Sequence, residues 1–188
     1  ISELKILGEN VFPQISFPES GESRFVLASD ESGFERPLIW DAKSGNRISI
    51  SSPVEHGDIR IFEWTSGGHR LVAEIVTQAK YHYKFYDLHH GMWVDLEHPK
   101  SGSFISASYD KENELIAIYQ NSISPPSLQK YSQTNKISKI VYPTKKRLIK
   151  YDFPWKSITI STDYGSLHGW LSMPEGKNPH PMILHTHG

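Results

Sequence analysis

The sequence predicts a mainly β fold, in which a partial β-propeller of about three four-stranded blades occupies residues 1–143. Three observations predict it. Short apolar runs of strand length alternate with turn residues, and no long stretch has the periodicity of an amphipathic helix. The runs recur every 44 to 46 residues. A repeat of that length containing four strands is typical of a propeller blade.

The repeat is defined by strands at equivalent positions. The second strand of each unit is a charged residue followed by an apolar run, and the third places an aromatic residue before a small polar one. The third strands contain Trp40-Asp41, Tyr86-Asp87 and Tyr131-Ser132, and the second strands cover 24–28, 70–74 and 114–118. Weaker first strands are predicted near 13–17, 58–64 and 103–108, and fourth strands at 47–50, 93–96 and 137–140. The recurring aromatic position indicates packing between blades rather than ligand stacking.

The turns between third and fourth strands also repeat. They contain Gly45, Gly91 and Asn135, residue types that accept a positive φ. A WD40-type propeller is not favoured, because the tryptophan of Trp40-Asp41 recurs only as tyrosine and no paired Gly-His precedes it.

Composition limits the function classes. The chain has 188 residues, 37% of them hydrophobic, and a net charge of -1, which gives no field that would attract nucleic acid or an anionic membrane. It has no cysteine, so disulfides, thiolate metal sites and a cysteine nucleophile are excluded. No apolar run spans a bilayer and the first residues have no signal-peptide pattern, so the cytoplasm is the default expectation. We expect no cofactor.

A different pattern follows the repeats. Residues 144–150 contain four basic residues and predict a solvated linker. In 151–188, alternation over 157–162, the turn at 163–166 and alternation over 167–173 predict a hairpin with one face to bury. The apolar run 182–184 predicts a third strand, covered on both faces.

This C-terminal pattern resembles the entry into the catalytic domain of the prolyl oligopeptidase family of serine peptidases, especially its acylaminoacyl-peptidase and dipeptidyl-peptidase branches. The matching residues are Asp163 and Gly165, then Leu167, Gly169, Leu171 and Pro174, and finally His187 and Gly188. Tyr164 separates the Asp and Gly that are adjacent in the family turn, and the sequence ends before the last two residues of the family's H-G-G-P. The Ser- and Pro-rich stretch 121–128 resembles a loop in the family's last propeller blade.

The resemblance implies that 151–188 are the first strands of a truncated α/β-hydrolase domain, in a fragment of a peptidase or acyl hydrolase. The full-length protein would cleave short peptides or acyl-peptides. Its Ser, Asp and His would follow Gly188, because the chain contains no G-x-S-x-G, so the fragment itself is expected to be inactive. His187 and Gly188 would lie beside the oxyanion hole; the alternative is that they only end a strand and turn the chain.

Other polar groups have simpler interpretations. His185-Thr186-His187 could begin an H-x-H metal site, but the upstream repeats do not belong to metallo-hydrolases, so no metal is expected. His89-His90 is interpreted as a solvated turn. The carboxylates of Asp30, Glu31 and Glu35 are interpreted as a solvated loop around Gly33 rather than as an acid/base pair.

A second function class stays open, in which the blades are an interaction scaffold without catalysis and the hairpin is a docking strand. A G-x-S-x-G downstream of Gly188 would decide for the hydrolase. In either case an arc of three blades leaves two blade faces uncovered, so we expect self-association or coverage by a larger polypeptide.

Overall fold

The computed structural model describes residues 12–14, 23–65, 68–98, 102–121, 125–132, 137–142, 155–174, 176 and 179–186. These residues form fourteen β-strands and contain no helix, and hence none of the length and apolarity needed to cross a membrane. The chain divides into two compact units, residues 1–146 and 147–188.

The first unit consists of three four-stranded antiparallel sheets, in which consecutive strands pair as a meander. Blade 1 contains β1 (Phe12–Gln14), β2 (Arg24–Ser29), β3 (Arg36–Asp41) and β4 (Arg47–Ser49). Blade 2 contains β5 (Asp58–Trp64), β6 (Arg70–Thr77), β7 (Lys80–Asp87) and β8 (Met92–Asp95). Blade 3 contains β9 (Ser103–Tyr109), β10 (Leu115–Gln120), β11 (Ser127–Tyr131) and β12 (Ile137–Tyr142). The predicted β fold and its three blades are confirmed.

Residues that match in the sequence repeat also match in strand register. Phe25 pairs with Trp40 in blade 1, as Leu71 pairs with Tyr86 in blade 2. Leu115 pairs with Tyr131 in blade 3. The 44- to 46-residue period therefore corresponds to one structural unit with a fixed pairing of its two central strands.

Blade 2 is buried on both faces because a blade lies on each side of it. In β6, Leu71 joins an apolar cluster with Val26 and Ile39 of blade 1. Val72, the next residue, points to the opposite face and packs with Leu115 and Tyr131 of blade 3. The run Leu71–Ile75 is therefore buried at every position, as expected for a strand covered twice.

At two of its three copies the aromatic position of the repeat packs in these clusters, as predicted. Tyr86 lies between blades 1 and 2, and Tyr131 lies between blades 2 and 3, where it is fully buried. Trp40 is half-buried and packs on Phe25, with their ring centroids 5.6 Å apart.

Two of the predicted positive-φ turns are present, since Gly45 has φ 75° and Gly91 has φ 62°. The aspartate that follows each aromatic residue closes the turn: Asp41 Oδ1 accepts the backbone N–H of Lys43, and Asp87 Oδ1 accepts that of His89. This explains the aromatic-Asp dipeptides as turn caps. Asn135 lies outside the described residues.

In the second unit, β13 (Trp155–Thr162) and β14 (Gly165–Ser172) form the predicted hairpin, with 163 and 164 as its turn. The third predicted strand is wrong. Residues 181–186 have no regular structure, and Met182, Ile183 and Leu184 are 79%, 94% and 77% exposed. An apolar run forms a strand only beside a hydrogen-bonding neighbour, and no described strand pairs with this one.

Candidate functional site

The sequence-predicted oxyanion residues, His187 and Gly188, lie outside the described residues, as does the predicted linker 144–150. Of the possible H-x-H metal motif, His185 is exposed and described. The polar groups that the structure does bring together lie on the hairpin, between the blades and within blade 3.

One serine–histidine pair lies on the hairpin. Ser157 Oγ and His168 Nε2 are 2.7 Å apart, and the His168 ring packs edge-on against Trp170. A serine nucleophile also needs a carboxylate to orient the histidine and donors for the oxyanion. In the described part of the chain no carboxylate hydrogen-bonds to His168, and both residues are on a strand pair open to solvent. Among the described residues, the pair therefore has no orienting carboxylate of the kind that a serine hydrolase site needs.

The main buried polar group is Glu74, on the face of blade 2 that points to blade 3. Glu74 lies in an apolar strand and is only 6% exposed. Tyr83, its cross-strand partner, donates a hydrogen bond to Glu74 Oε2 at 2.9 Å. The Tyr83 hydroxyl oxygen in turn accepts the backbone N–H of Phe104 in β9 at 2.7 Å. One hydroxyl therefore links two strands of blade 2 to the first strand of blade 3.

Burial sets the charge behaviour of this group. It raises the pKa of the Glu74 carboxyl, and the hydrogen bond from Tyr83 and the positive charge of Arg60 only partly offset that effect. Burial also raises the pKa of the Tyr83 hydroxyl, so the hydroxyl stays protonated and remains a donor. The Tyr83 ring stacks on Phe104 at 3.9 Å, which excludes water from the hydrogen bonds.

Polar contacts also connect blades 1 and 2. Arg60 lies opposite Glu74 in the strand register, and its Nε binds Glu35 Oε2 of blade 1 at 3.3 Å. The backbone N–H of Glu35 donates to Asp58 Oδ1, and its carbonyl accepts the N–H of Ile59. The Glu35–Arg60 pair thus links blades 1 and 2, as the Tyr83 hydroxyl links blades 2 and 3.

The three acidic residues of the β2–β3 loop make different contacts. Glu35 turns to Arg60, whereas Asp30 accepts the N–H of Gly33 through its backbone carbonyl and Glu31 is exposed. Glu31 is thus placed as a solvated loop would place it, whereas Glu35 is half-buried and ion-paired. The predicted turn of His89 and His90 is also found, and both side chains are exposed.

An open cleft of about 610 Å³ lies where this loop meets the connection from β4 to β5. Its cationic side chain, Arg36, is held by backbone carbonyls: the guanidinium donates to the oxygens of Glu35, Glu55 and Gly57. Arg36 therefore joins two connections of the fold.

Blade 3 carries a group of three carboxylates whose oxygens lie within 4.8 Å of one another, from Asp110, Glu112 and Glu114. Lys130 Nζ contacts all three, at 2.8, 3.2 and 2.5 Å. These hydrogen bonds raise the pKa of Lys130, while the Lys130 hydrogen bond and backbone N–H groups lower that of Asp110. The ammonium already occupies the position that a cation would take.

Sequence reasoning did not identify Glu74 and Tyr83. A signal was present, because Glu74 is the one charged residue in the run Leu71–Val76 and a carboxylate there needs a partner. Finding that partner required the register of β6 and β7, which the repeat alignment supplies through Leu71 and Tyr86.

No family model and no curated protein matches the chain. Its fold is similar to that of solved peptidase structures. A structure from a study of two prolyl endopeptidases matches with a TM-score of 0.65 and 14% identity, over 81% of this chain and 23% of that one. Dipeptidyl peptidase 4 from Porphyromonas gingivalis matches with a TM-score of 0.60 and 14% identity, over 80% and 22%. A puromycin-hydrolyzing peptidase from Mycobacterium tuberculosis matches with a TM-score of 0.62 and 15% identity, over 86% and 26%. The chain thus spans about a quarter of each of these proteins.

Proposed function

We propose that the chain is part of a serine peptidase or related acyl hydrolase of the prolyl oligopeptidase type, acting on short peptides or acyl-peptides. The observation that carries the proposal is the extent of the structural likeness. The match to the puromycin-hydrolyzing peptidase covers 86% of the chain, more than the 146 residues of the first unit can supply. The likeness therefore extends beyond the blades into the second unit.

In this proposal the blades restrict access to a catalytic domain that begins near Tyr151. Such a role needs blades that do not separate, because an opening between them would admit large substrates. The contacts fit that need: apolar clusters fill both sides of blade 2, and a polar link is present at each junction, Glu35 with Arg60 and Tyr83 with Phe104. The nucleophile, its carboxylate and its histidine are assigned to sequence after Gly188, with His187 and Gly188 beside the oxyanion hole.

The test begins with the coding sequence downstream of Gly188. The proposal requires a G-x-S-x-G within roughly the next hundred residues, followed by Asp and His. The extended protein and the 188-residue chain are then treated with a fluorophosphonate probe. We expect labelling of the extended protein only, and its loss when the motif serine is replaced by alanine.

The serine–histidine pair of the hairpin supplies the matched control. Ser157→Ala in the extended protein should leave labelling unchanged, because His168, its hydrogen-bond partner, contacts no orienting carboxylate among the described residues. Absence of the motif would favour the scaffold function. Stoichiometric labelling of the 188-residue chain would reject the assignment of the nucleophile to later sequence.

A further inference from the structure

Two histidines that are distant in sequence meet at one end of blade 2. His69 immediately precedes β6, and His89 lies in the turn between β7 and β8; their ring centroids are 4.5 Å apart, with 31° between the ring planes. Both side chains are exposed. In the sequence His89 is next to His90, but the ring that contacts His89 belongs to His69 in another loop. The sequence alone therefore did not indicate this pair.

The backbone holds both histidines in place. The N–H of Leu88 donates to the carbonyl of His69 at 2.9 Å, which joins the two loops beside the rings. Asp87 Oδ1 accepts the backbone N–H groups of His89 and His90 at 2.9 and 3.1 Å. These bonds fix the backbone positions from which the two imidazoles project.

Blade 1 shows that this junction does not require histidine. Ser23 and Asp41 occupy the positions equivalent to His69 and Asp87, each 46 residues earlier. There the N–H of Ala42 donates to the carbonyl of Ser23 at 2.8 Å, and Ser23 Oγ donates to Asp41 Oδ1 at 2.5 Å. The same backbone link thus closes in blade 1 without an aromatic ring, so the paired imidazoles of blade 2 are additional to what the turn needs.

We propose that His69 and His89 form a surface binding site for a divalent transition metal ion of the zinc, nickel and copper group. Imidazole nitrogen is a preferred ligand of these ions, and neutral histidines on adjacent loops can share one of them. Water fills the other coordination positions. Asp87 acts as a positioning residue, through the backbone of His89, and the inference does not depend on the proposed peptidase function.

The test is a calorimetric titration of the full 188-residue chain with Zn²⁺ at neutral pH. His185→Gln is introduced throughout, to remove the competing H-x-H motif at 185–187. We expect about one equivalent to bind, and His69→Gln or His89→Gln to weaken binding about tenfold or more, since even the loss of an outer-shell partner costs that much. His82→Gln is the control, because His82 is an exposed histidine on β7 of the same blade.

Copper electron paramagnetic resonance gives a second readout. Cu²⁺ added to the His185→Gln chain should show coupling to two nitrogen ligands, and to one in either single variant. Thermal melts should be unchanged, because both histidines are exposed. The proposal is overturned if no saturable binding occurs, or if His69→Gln and His89→Gln bind Zn²⁺ as tightly as His82→Gln.

Discussion

Tyr83 donates a hydrogen bond to the buried carboxylate of Glu74 within blade 2 and accepts one from the backbone of Phe104 in blade 3. The hydroxyl satisfies a buried acceptor and a buried donor at the same time. Without it, the Glu74 carboxylate and the Phe104 N–H would both be unpaired in a site closed by aromatic rings. The contact between blades 2 and 3 therefore depends on polar pairing as well as on apolar burial.

Tyr83→Phe should destabilise the chain by about 1–3 kcal/mol, because it leaves buried polar groups unsatisfied while keeping the ring. The measurement is urea unfolding followed by tryptophan fluorescence. Tyr81→Phe is the matched control on the same strand: Tyr81 is 41% exposed, and its substitution should change stability by less than about 0.5 kcal/mol. Equal effects of the two variants would contradict the role given to the Tyr83 hydroxyl.

Glu74→Gln should change how stability depends on pH. The folded-state pKa of Glu74 is raised above its ordinary value of 4.5, so the folded chain holds this proton more tightly than the unfolded chain does. The contribution of Glu74 is therefore most favourable below pH 4.5 and declines as the pH rises through the window above that value. We expect the stability of the parent relative to Glu74→Gln to fall over this window.

The quantity to follow is the difference in stability between the parent and Glu74→Gln at each pH, because other carboxylates change stability with pH in the opposite direction. Hydrogen bonds from Ser23, Ser44 and the N–H of Lys43 lower the pKa of Asp41 to about 2, so its contribution is lost as the pH falls from its ordinary value of 3.8 toward that value. Such terms are common to both proteins and cancel. A flat result for Glu74→Gln would show that the burial of Glu74 does not shift its titration.

The blades could be predicted because their signal is local and repeated. The period that aligns Trp40, Tyr86 and Tyr131 also aligns the strands and turns around them, so each copy supports the others. The third strand of the second unit could not be predicted from Met182–Leu184, because an apolar run does not specify its pairing partner. Contacts such as those of Glu35 with Arg60 and of His69 with His89 depend on how loops from different strands meet, which the repeat leaves undetermined.

Glycine is required before the first strand of blades 2 and 3. Gly57 and Gly102 are 45 residues apart, have φ of 133° and 112°, and would place a Cβ 2.4 Å from Val76 O and 2.2 Å from Gln120 O. Alanine at either position should cost on the order of 3 kcal/mol or more, since backbone strain adds to a clash with the neighbouring strand. Gly33→Ala is the control: its φ is 83° with no atom within 4 Å, so strain alone should cost about 1–2 kcal/mol. Thermal melting should rank the Gly57→Ala and Gly102→Ala variants as less stable than Gly33→Ala. Equal or reversed losses would contradict the predicted clash with the neighbouring strand.

The hairpin exposes apolar side chains that favour self-association of the isolated chain. Ile160 and Leu167 are cross-strand partners and are 51% and 59% exposed, on the face shared with Ile158. Burying such a face against a second copy removes apolar surface from water, at about 25 cal/mol per Å². We therefore expect the average mass in sedimentation experiments to rise with protein concentration. Replacing Ile160 and Leu167 by threonine, which keeps strand propensity, should shift this rise to higher concentration.

Threonine at Ser161 and Ser166 provides the control for that experiment, because these residues pair next to Ile160 and Leu167 but on the opposite face. This double variant should associate as the parent does. Association that persists in the Ile160 and Leu167 variant would assign the contact to the blades, since those are the other faces expected to be uncovered. A parent chain that stays monomeric at every concentration and melts cooperatively would reject the expectation of uncovered faces. Large exposed apolar faces favour association, because association removes them from water.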